Sequence, residues 1–363
     1  MSDNTINQKL LIVSSSPHLL GQDTTKKIMW LVVIALFPTA IFGVYAFGGT
    51  AALIVISSIF SAVITEMIIL RLRKRSLKTI FDGSAVLTGL IVALNLPPSV
   101  PLYIPIISSC FAIGLVKQAF GGLGSNWANP AIAARIFALI AWTRYMTRWV
   151  APFTYGGISS FINSVGSADV VTTATPLNVV KSAFLQDGVN ELMKGPMDIL
   201  QSGVSGFQTG STYFDLFFGF KGGCIGEISI FLLLVGASYL IYKKIITLDV
   251  PVTFISTVLL LTWIFDGVRY GQGYFTGDVL FQLLTGGLVF GAFFCATDMV
   301  TTPITTKGRI IFGIGCGFLT FLIRSYGGLP EGVSLAILFM NVFTPAIDIF
   351  IKRRPMGAPA IKG

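Results

Sequence analysis

Charge is what this sequence has least of. Asp, Glu, Lys and Arg together make up 11% of its 363 residues. A soluble domain carries about 25% charged residues, so no ordinary water-facing surface can be assembled from this chain. Histidine is nearly absent: the one copy, His18, has no second ligand residue nearby. Four cysteines, Cys110, Cys224, Cys295 and Cys316, include no C-x-x-C pair, and three lie inside apolar runs, the habit of small packing residues. A haem or an iron–sulfur cluster held by this chain alone is excluded on that count, and no metal site is expected. There is no Gly-x-Gly-x-x-Gly after a strand, no Walker loop and no His/Cys metal spacing. The first 25 residues are polar and lack the charged, then apolar, then small order of a cleavable signal.

What the chain has in abundance is apolar length, with 53% hydrophobic residues. About ten runs read as membrane spans of ~30 Å hydrocarbon, at roughly 28–47, 51–70, 84–96, 103–116, 130–142, 225–242, 252–265, 279–296, 310–323 and 333–351. The net charge of +9 sits in short basic clusters between these runs, at 71–78, 117, 243–244, 307–309 and 352–354. Counting crossings places every cluster on the cytoplasmic face, as the positive-inside rule requires. That pattern argues against nucleic acid as a partner and for a lipid bilayer. Five units follow: a cytoplasmic segment 1–25, five spans within 26–147, an extracytoplasmic loop 148–223, five more spans within 224–351, and a cytoplasmic tail 352–363.

The halves echo one another. Asp82-Gly83 with Leu87-Thr88-Gly89-Leu90 resembles Gly277-Asp278 with Leu284-Thr285-Gly286-Gly287-Leu288, and each short apolar piece meets a proline, at Pro97-Pro98 and at Pro303. Five spans per half reverses the orientation of the second copy, which predicts an inverted repeat with broken helices lining a cavity. The expected fold is all-α, with about ten transmembrane helices in two inverted five-helix repeats. Such a repeat taken alone also fits a solute transporter or channel without redox chemistry.

The external loop carries Asp169-Val-Val-Thr172-Thr173-Ala174-Thr175-Pro176. Thr175-Pro176 reads as a helix start, Thr as N-cap and Pro at the first helical position. The residues before it resemble Asp-x-x-[Ser/Thr]-Gly-Ala-Thr, the sequence at which a flavin transferase joins FMN to the last threonine through a phosphoester bond. Thr175 is the acceptor on that reading, a hydroxyl on an exposed loop, with Asp169, Thr172 and Ala174 as motif residues. Thr173 stands where the motif has glycine.

Further motifs extend the resemblance over nearly the whole chain. They are Ser15-Ser16-Pro17-His18, Asp82-Gly83-Ser84-Ala85, Lys117-Gln118, Gly121-Gly122-Leu123-Gly124-Ser125-Asn126 with Asn129-Pro130-Ala131, Gly226-Glu227, Ala296-Thr297-Asp298, and Arg324-Ser-Tyr326-Gly327-Gly328 with Glu331-Gly332-Val333. In this order they resemble the D subunits of Rnf electron-transport complexes, relatives of the B subunit of the sodium-translocating NADH:quinone reductase. The resemblance implies a flavoprotein subunit of the cell membrane within a ferredoxin:NAD oxidoreductase that couples electron flow to Na+ or H+ translocation. It implies covalent FMN at Thr175 and a second, non-covalent flavin, riboflavin, toward the cytoplasm. Iron–sulfur and flavin subunits would be the partners, with the flavin transferase acting during maturation. No catalytic residue is expected on this chain. The B-type subunit shares fold and flavin but has a longer amino-terminal extension than the roughly 25 residues here.

For the second flavin, the turn bearing Gly122, Asn126 and Asn129 and the facing Asp298 are the expected region. Asn129-Pro130 serves equally well as N-cap and first helical residue. Three ionisable residues fall near the membrane interior. Glu66 and Asp348 stand close to cytoplasmic ends, where snorkelling or helix pairing accounts for them, while Arg135 is deeper and calls for a carboxylate or flavin partner.

Overall fold

The computed structural model describes residues 24–153, 172–173, 175–186, 195–201, 212–328 and 331–351. His18, Asp169, Ala174 and the basic tail at 352–354 lie outside them. The described chain is helical apart from one two-residue antiparallel pair, β1 (Trp149–Val150) with β2 (Thr172–Thr173).

Five helices are long and apolar enough to cross a membrane: α1 (Thr25–Phe47), α2 (Gly49–Leu72), Asp249–Arg269, α13 (Thr306–Tyr326) and α14 (Val333–Phe350). The third comprises α10 (Asp249–Leu261), a widened π turn Thr262–Asp266 and a last α turn Gly267–Arg269. Between them lie shorter apolar helices: α3 (Ser84–Leu94), α4 (Tyr103–Phe111) running on into the π segment Ala112–Gln118, α5 (Pro130–Ala141) and α9 (Ile230–Tyr242). The loop region contributes α6 (Pro176–Gln186), α7 (Pro196–Gln201) and α8 (Tyr213–Phe218). The expected span 279–296 is interrupted: α11 (Val279–Leu284) stops, Gly286 and Gly287 both take positive φ, and α12 (Leu288–Phe290) runs into a π turn at Gly291–Cys295. The expected sixth span begins late, because 225–229 is irregular before Ser229 caps α9.

Exposed faces are apolar. Along α1, Ile34, Phe37, Ile41 and Tyr45 all point outward at helical spacing, while Ala35, Leu36, Thr39, Ala40 and Gly43 are buried. An outer surface of this kind suits hydrocarbon and not water. Inside, small residues set the spacing. A methyl on Gly236 of α9 would collide with the Ala35 carbonyl of α1, and methyls on Gly313 and Gly317 of α13 would collide with Thr253 and Thr257 of α10. Small residues four apart are the usual device for close helix contact in membranes. The helices pair α2 with α3 and α4, and α10 with α13; the two halves meet where α1 packs on α9 and α5 packs on α14.

Candidate functional site

The larger cavity opens at the end of the bundle where α4 finishes and α5 and α13 begin. Its empty volume is about 820 Å³, part of it open to solvent, within the usual size of ligand sites. The wall is mostly apolar, with Ile28, Leu87, Ile91 and Phe293 among its residues, and its polar members include Ser84, Lys117, Asn126, Asn129 and Asp298. Three of the four residues expected around a second flavin therefore meet at one cavity. Gly122 is buried in the neighbouring turn and is not part of the wall.

The turn from 119 to 129 follows from its glycines. Gly121, Gly122 and Gly124 have φ of 124°, 105° and 93°, which a side chain resists. Arg75 donates from its guanidinium to the Gly121 carbonyl at 2.9 Å, tying the basic 71–78 segment to the turn. Asn129 is the N-cap of α5: its Oδ1 accepts from the Ala131 amide at 3.0 Å, and its Nδ2 donates to the Cys295 carbonyl at 3.1 Å. The helix-start reading of Asn129 holds, and the same side chain joins the two halves. Asn126 differs, since its Oδ1 is buried with no hydrogen-bond partner. Asp298 accepts from the Val300 amide and the Thr301 hydroxyl, each at 3.3 Å, and burial holds its carboxyl above the ordinary carboxylate range despite them.

Lys117, read from the sequence as a span boundary within the Lys117-Gln118 motif, belongs to this wall. It is almost fully buried, and its ammonium donates to Glu66 Oε1 at 2.7 Å and to Ser84 Oγ at 2.6 Å. Gln118 Nε2 donates to the same Glu66 oxygen at 2.8 Å. Adjacent residues of an α-helix point different ways; the π segment Ala112–Gln118 turns both toward Glu66. Glu66 is thus a buried partner of α4 and does not snorkel. Ser84 in turn binds Asp82 Oδ1 through its amide at 2.8 Å and its hydroxyl at 2.6 Å. Gly83 makes this turn possible at φ 84°, packed against the Trp30 indole. Asp348, the other carboxylate near that end, accepts from the Ile304 amide at 3.1 Å.

A second polar assembly occupies the opposite end of α13, roughly 30 Å away along 21 residues at about 1.5 Å each. Arg324 donates to oxygens of Glu331 (backbone), Gln282 (backbone and side chain), Thr285 and Gly286, at 2.6 to 3.2 Å. It therefore satisfies the carbonyls released where α11 breaks. Gln282 Nε2 continues to Asp266 Oδ2 at 3.4 Å. Beside it, Arg135 of α5 donates to Asn95 Oδ1 at 2.8 Å and Glu227 Oε1 at 3.1 Å, and to Glu331. Of the two partners expected for Arg135, a carboxylate or a flavin, the structure supplies carboxylates, and two of them. The ligand atoms of Cys224, Glu227 and Glu331 lie within 4.8 Å of one another, and the Arg135 guanidinium reaches all three and is a counter-ion to the two carboxylates.

Thr175 comes to this second end. It is the N-cap of α6, its Oγ accepting from the Asn178 amide at 3.2 Å, as the sequence indicates. It is not exposed: 4% of its surface remains accessible, because Leu177, Val179 and Val180 pull the start of α6 into the core. Leu177 and the Arg324 guanidinium converge on the space beside Gly286, and Lys181 binds the Arg324 and Gly327 carbonyls. Thr172 pairs with Val150 in the short strand pair, three residues before this cap. That pair borders a smaller cavity of about 520 Å³ between α5 and α14, walled by Arg135, Trp149 and Glu331.

Comparison with known proteins identifies relatives along nearly the whole chain. The model of the NQR2, RnfD, RnfE family matches residues 12–357. The chain is 44% identical over 357 residues to the D subunit of the proton-translocating ferredoxin:NAD(+) oxidoreductase complex of Clostridium ljungdahlii, covering 98% of this chain and 99% of that one. It is 42% identical to the Na(+)-translocating counterpart of Acetobacterium woodii, with 98% of each chain covered. The D subunit of an ion-translocating oxidoreductase complex of Stutzerimonas stutzeri is 37% identical, over 93% of this chain and 94% of that one. This chain belongs to the NQR2, RnfD, RnfE family.

Proposed function

We propose that this chain is the D-type membrane subunit of an ion-translocating ferredoxin:NAD oxidoreductase complex, carrying FMN esterified to Thr175 and a second flavin in the larger cavity. Identity of 44% across nearly all of such a relative carries the assignment to the complex. The other subunits of that complex are then its partners, and a flavin transferase loads Thr175.

For the second flavin, unpartnered polar atoms on the cavity wall carry the reading. Asn126 Oδ1 has no partner. Lys117 has three N–H donors, and two of them are taken. A flat, largely apolar ring with one edge of alternating carbonyl and N–H groups meets both needs, and an isoalloxazine has that edge. For FMN, the positive end of the 11-residue α6 suits an ester phosphate next to Thr175. Bound flavin supplies one-electron and two-electron chemistry; the chain's own residues seat it, exclude water and supply countercharge.

The fold reading is ten spans in two inverted repeats. Glu66 of α2 and Lys117 after α4 correspond in order to Asp266 after α10 and Arg324 of α13. The halves also meet through like elements, α1 on α9 and α5 on α14, the contacts a twofold relation produces. Basic residues at 71–78 and 307–309 stand at the larger cavity's end, making that end cytoplasmic and the Thr175 end external.

The test is in-gel flavin fluorescence of the denatured chain, made with a functional flavin transferase, for wild type and Thr175→Ala. A fluorescent wild-type band that vanishes in the variant supports covalent FMN on Thr175. A dark wild-type band rejects it and reopens the transporter reading.

A further inference from the structure

Among the described residues that line the larger cavity, Lys117 is the only cation and Asp298 the only acid. Its charge is neutralised from behind by Glu66, whose side chain is 3% accessible. Glu66 is itself held unevenly: Oε1 takes both Lys117 and Gln118, whereas Oε2 has no partner, nor has Gln118 Oε1. The elements facing this pair bring Asp82 through Ser84, and no further ionisable contact with it occurs among the described residues.

Resting on the inner-flavin reading, we infer that Lys117 carries the countercharge of the reduced inner flavin, and that Glu66 is a positioning residue that sets how strongly it does so. A flavin seated here would accept an electron from a low-potential iron–sulfur donor with no bond broken, and where no proton followed it would carry one negative charge for the wall to balance. In a cavity walled by Ile28, Leu87, Ile91 and Phe293 that charge is costly unless paired. Asp298 opposes it; the remaining N–H of Lys117 meets it. Glu66 competes for the same ammonium from the opposite side, so the pair acts as a counterweight on the flavin's potential. A packing role for the pair has no reason to move the potential in opposite directions when one partner or the other is neutralised.

The experiment is potentiometric titration of the releasable flavin in the purified complex for wild type, Glu66→Gln, Lys117→Gln and the double variant. Glu66→Gln is expected to raise the midpoint potential and Lys117→Gln to lower it. Each shift corresponds to at least a tenfold change in preference for the reduced form, about 59 mV for a one-electron step. Should Lys117→Gln fail to assemble, the double variant takes its place and is expected below Glu66→Gln. The FMN at Thr175, at the far end of α13, is the internal control and stays put. Shifts of the same sign, or none, overturn the inference while leaving the flavin in place. A wild-type complex without releasable flavin overturns the inner-flavin reading itself, and the inference with it.

Discussion

Replacing Arg135 by methionine tests whether one guanidinium joins the two halves. Arg135 sits on α5, in the first half, and two of its partners, Glu227 and Glu331, belong to the second. Methionine keeps much of the volume and removes the charge, leaving two carboxylates close together without the guanidinium that binds both. Breaking a buried pair by removing one partner costs about 3–5 kcal/mol, chiefly because the charge left behind is uncompensated. At a few degrees per kcal/mol the apparent Tm in detergent falls on the order of 10 °C. The free cysteines provide the assay: Cys316 of α13 is buried, so a thiol-reactive fluorophore reports its exposure on heating. Neutralising the carboxylates as well, with Glu227→Gln and Glu331→Gln, is expected to restore most of the loss, since a buried ion cluster can be replaced by neutral groups at little net cost. A single variant as stable as wild type, or a triple variant no better than the single, would refute the account of Arg135 as the cation that holds both carboxylates.

Two further outcomes follow from geometry. Gly236→Ala drives a methyl into the Ala35 carbonyl, a backbone atom that cannot swing away, so α1 and α9 must part at a cost of about 1–3 kcal/mol; unchanged thermal stability in the same thiol assay would show that this interface is looser than described. Asp298→Asn removes a carboxyl whose pKa burial raises in the folded chain. A raised folded pKa means stability is lost as pH climbs from the unfolded value through the folded one. The variant should therefore gain on wild type when melting at pH 8 is compared with pH 5, and a margin independent of pH would contradict that sign.

Much of the helical layout is legible in the sequence because the signals are local. Hydropathy, Pro at the first helical turn after Asn129 and Thr175, and glycines at positive φ each act within a few residues. The exposed position expected for Thr175 fails for a related reason: a cap motif says where a helix starts, not which face its next turn buries, and Leu177 and Val180 turn that start inward. Lys117 reads as a span boundary because a basic residue after an apolar run normally marks the interface. Only the widened turn of α4 shows that it points inward.

The sequence by itself determined that this chain is a helical membrane protein, where most of its apolar segments fall, and which family it belongs to. Tertiary structure alone decided which charges meet. Glu66 and Lys117 are 51 residues apart, and Arg135 and Glu331 are 196 apart. No periodicity spans such distances. In an apolar medium each buried charge must find a counter-charge, and which one it finds depends on how the halves pack across α1–α9 and α5–α14. The larger cavity is a product of the same packing, which gathers Ser84, Lys117, Asn126, Asn129 and Asp298 from separate segments onto one wall.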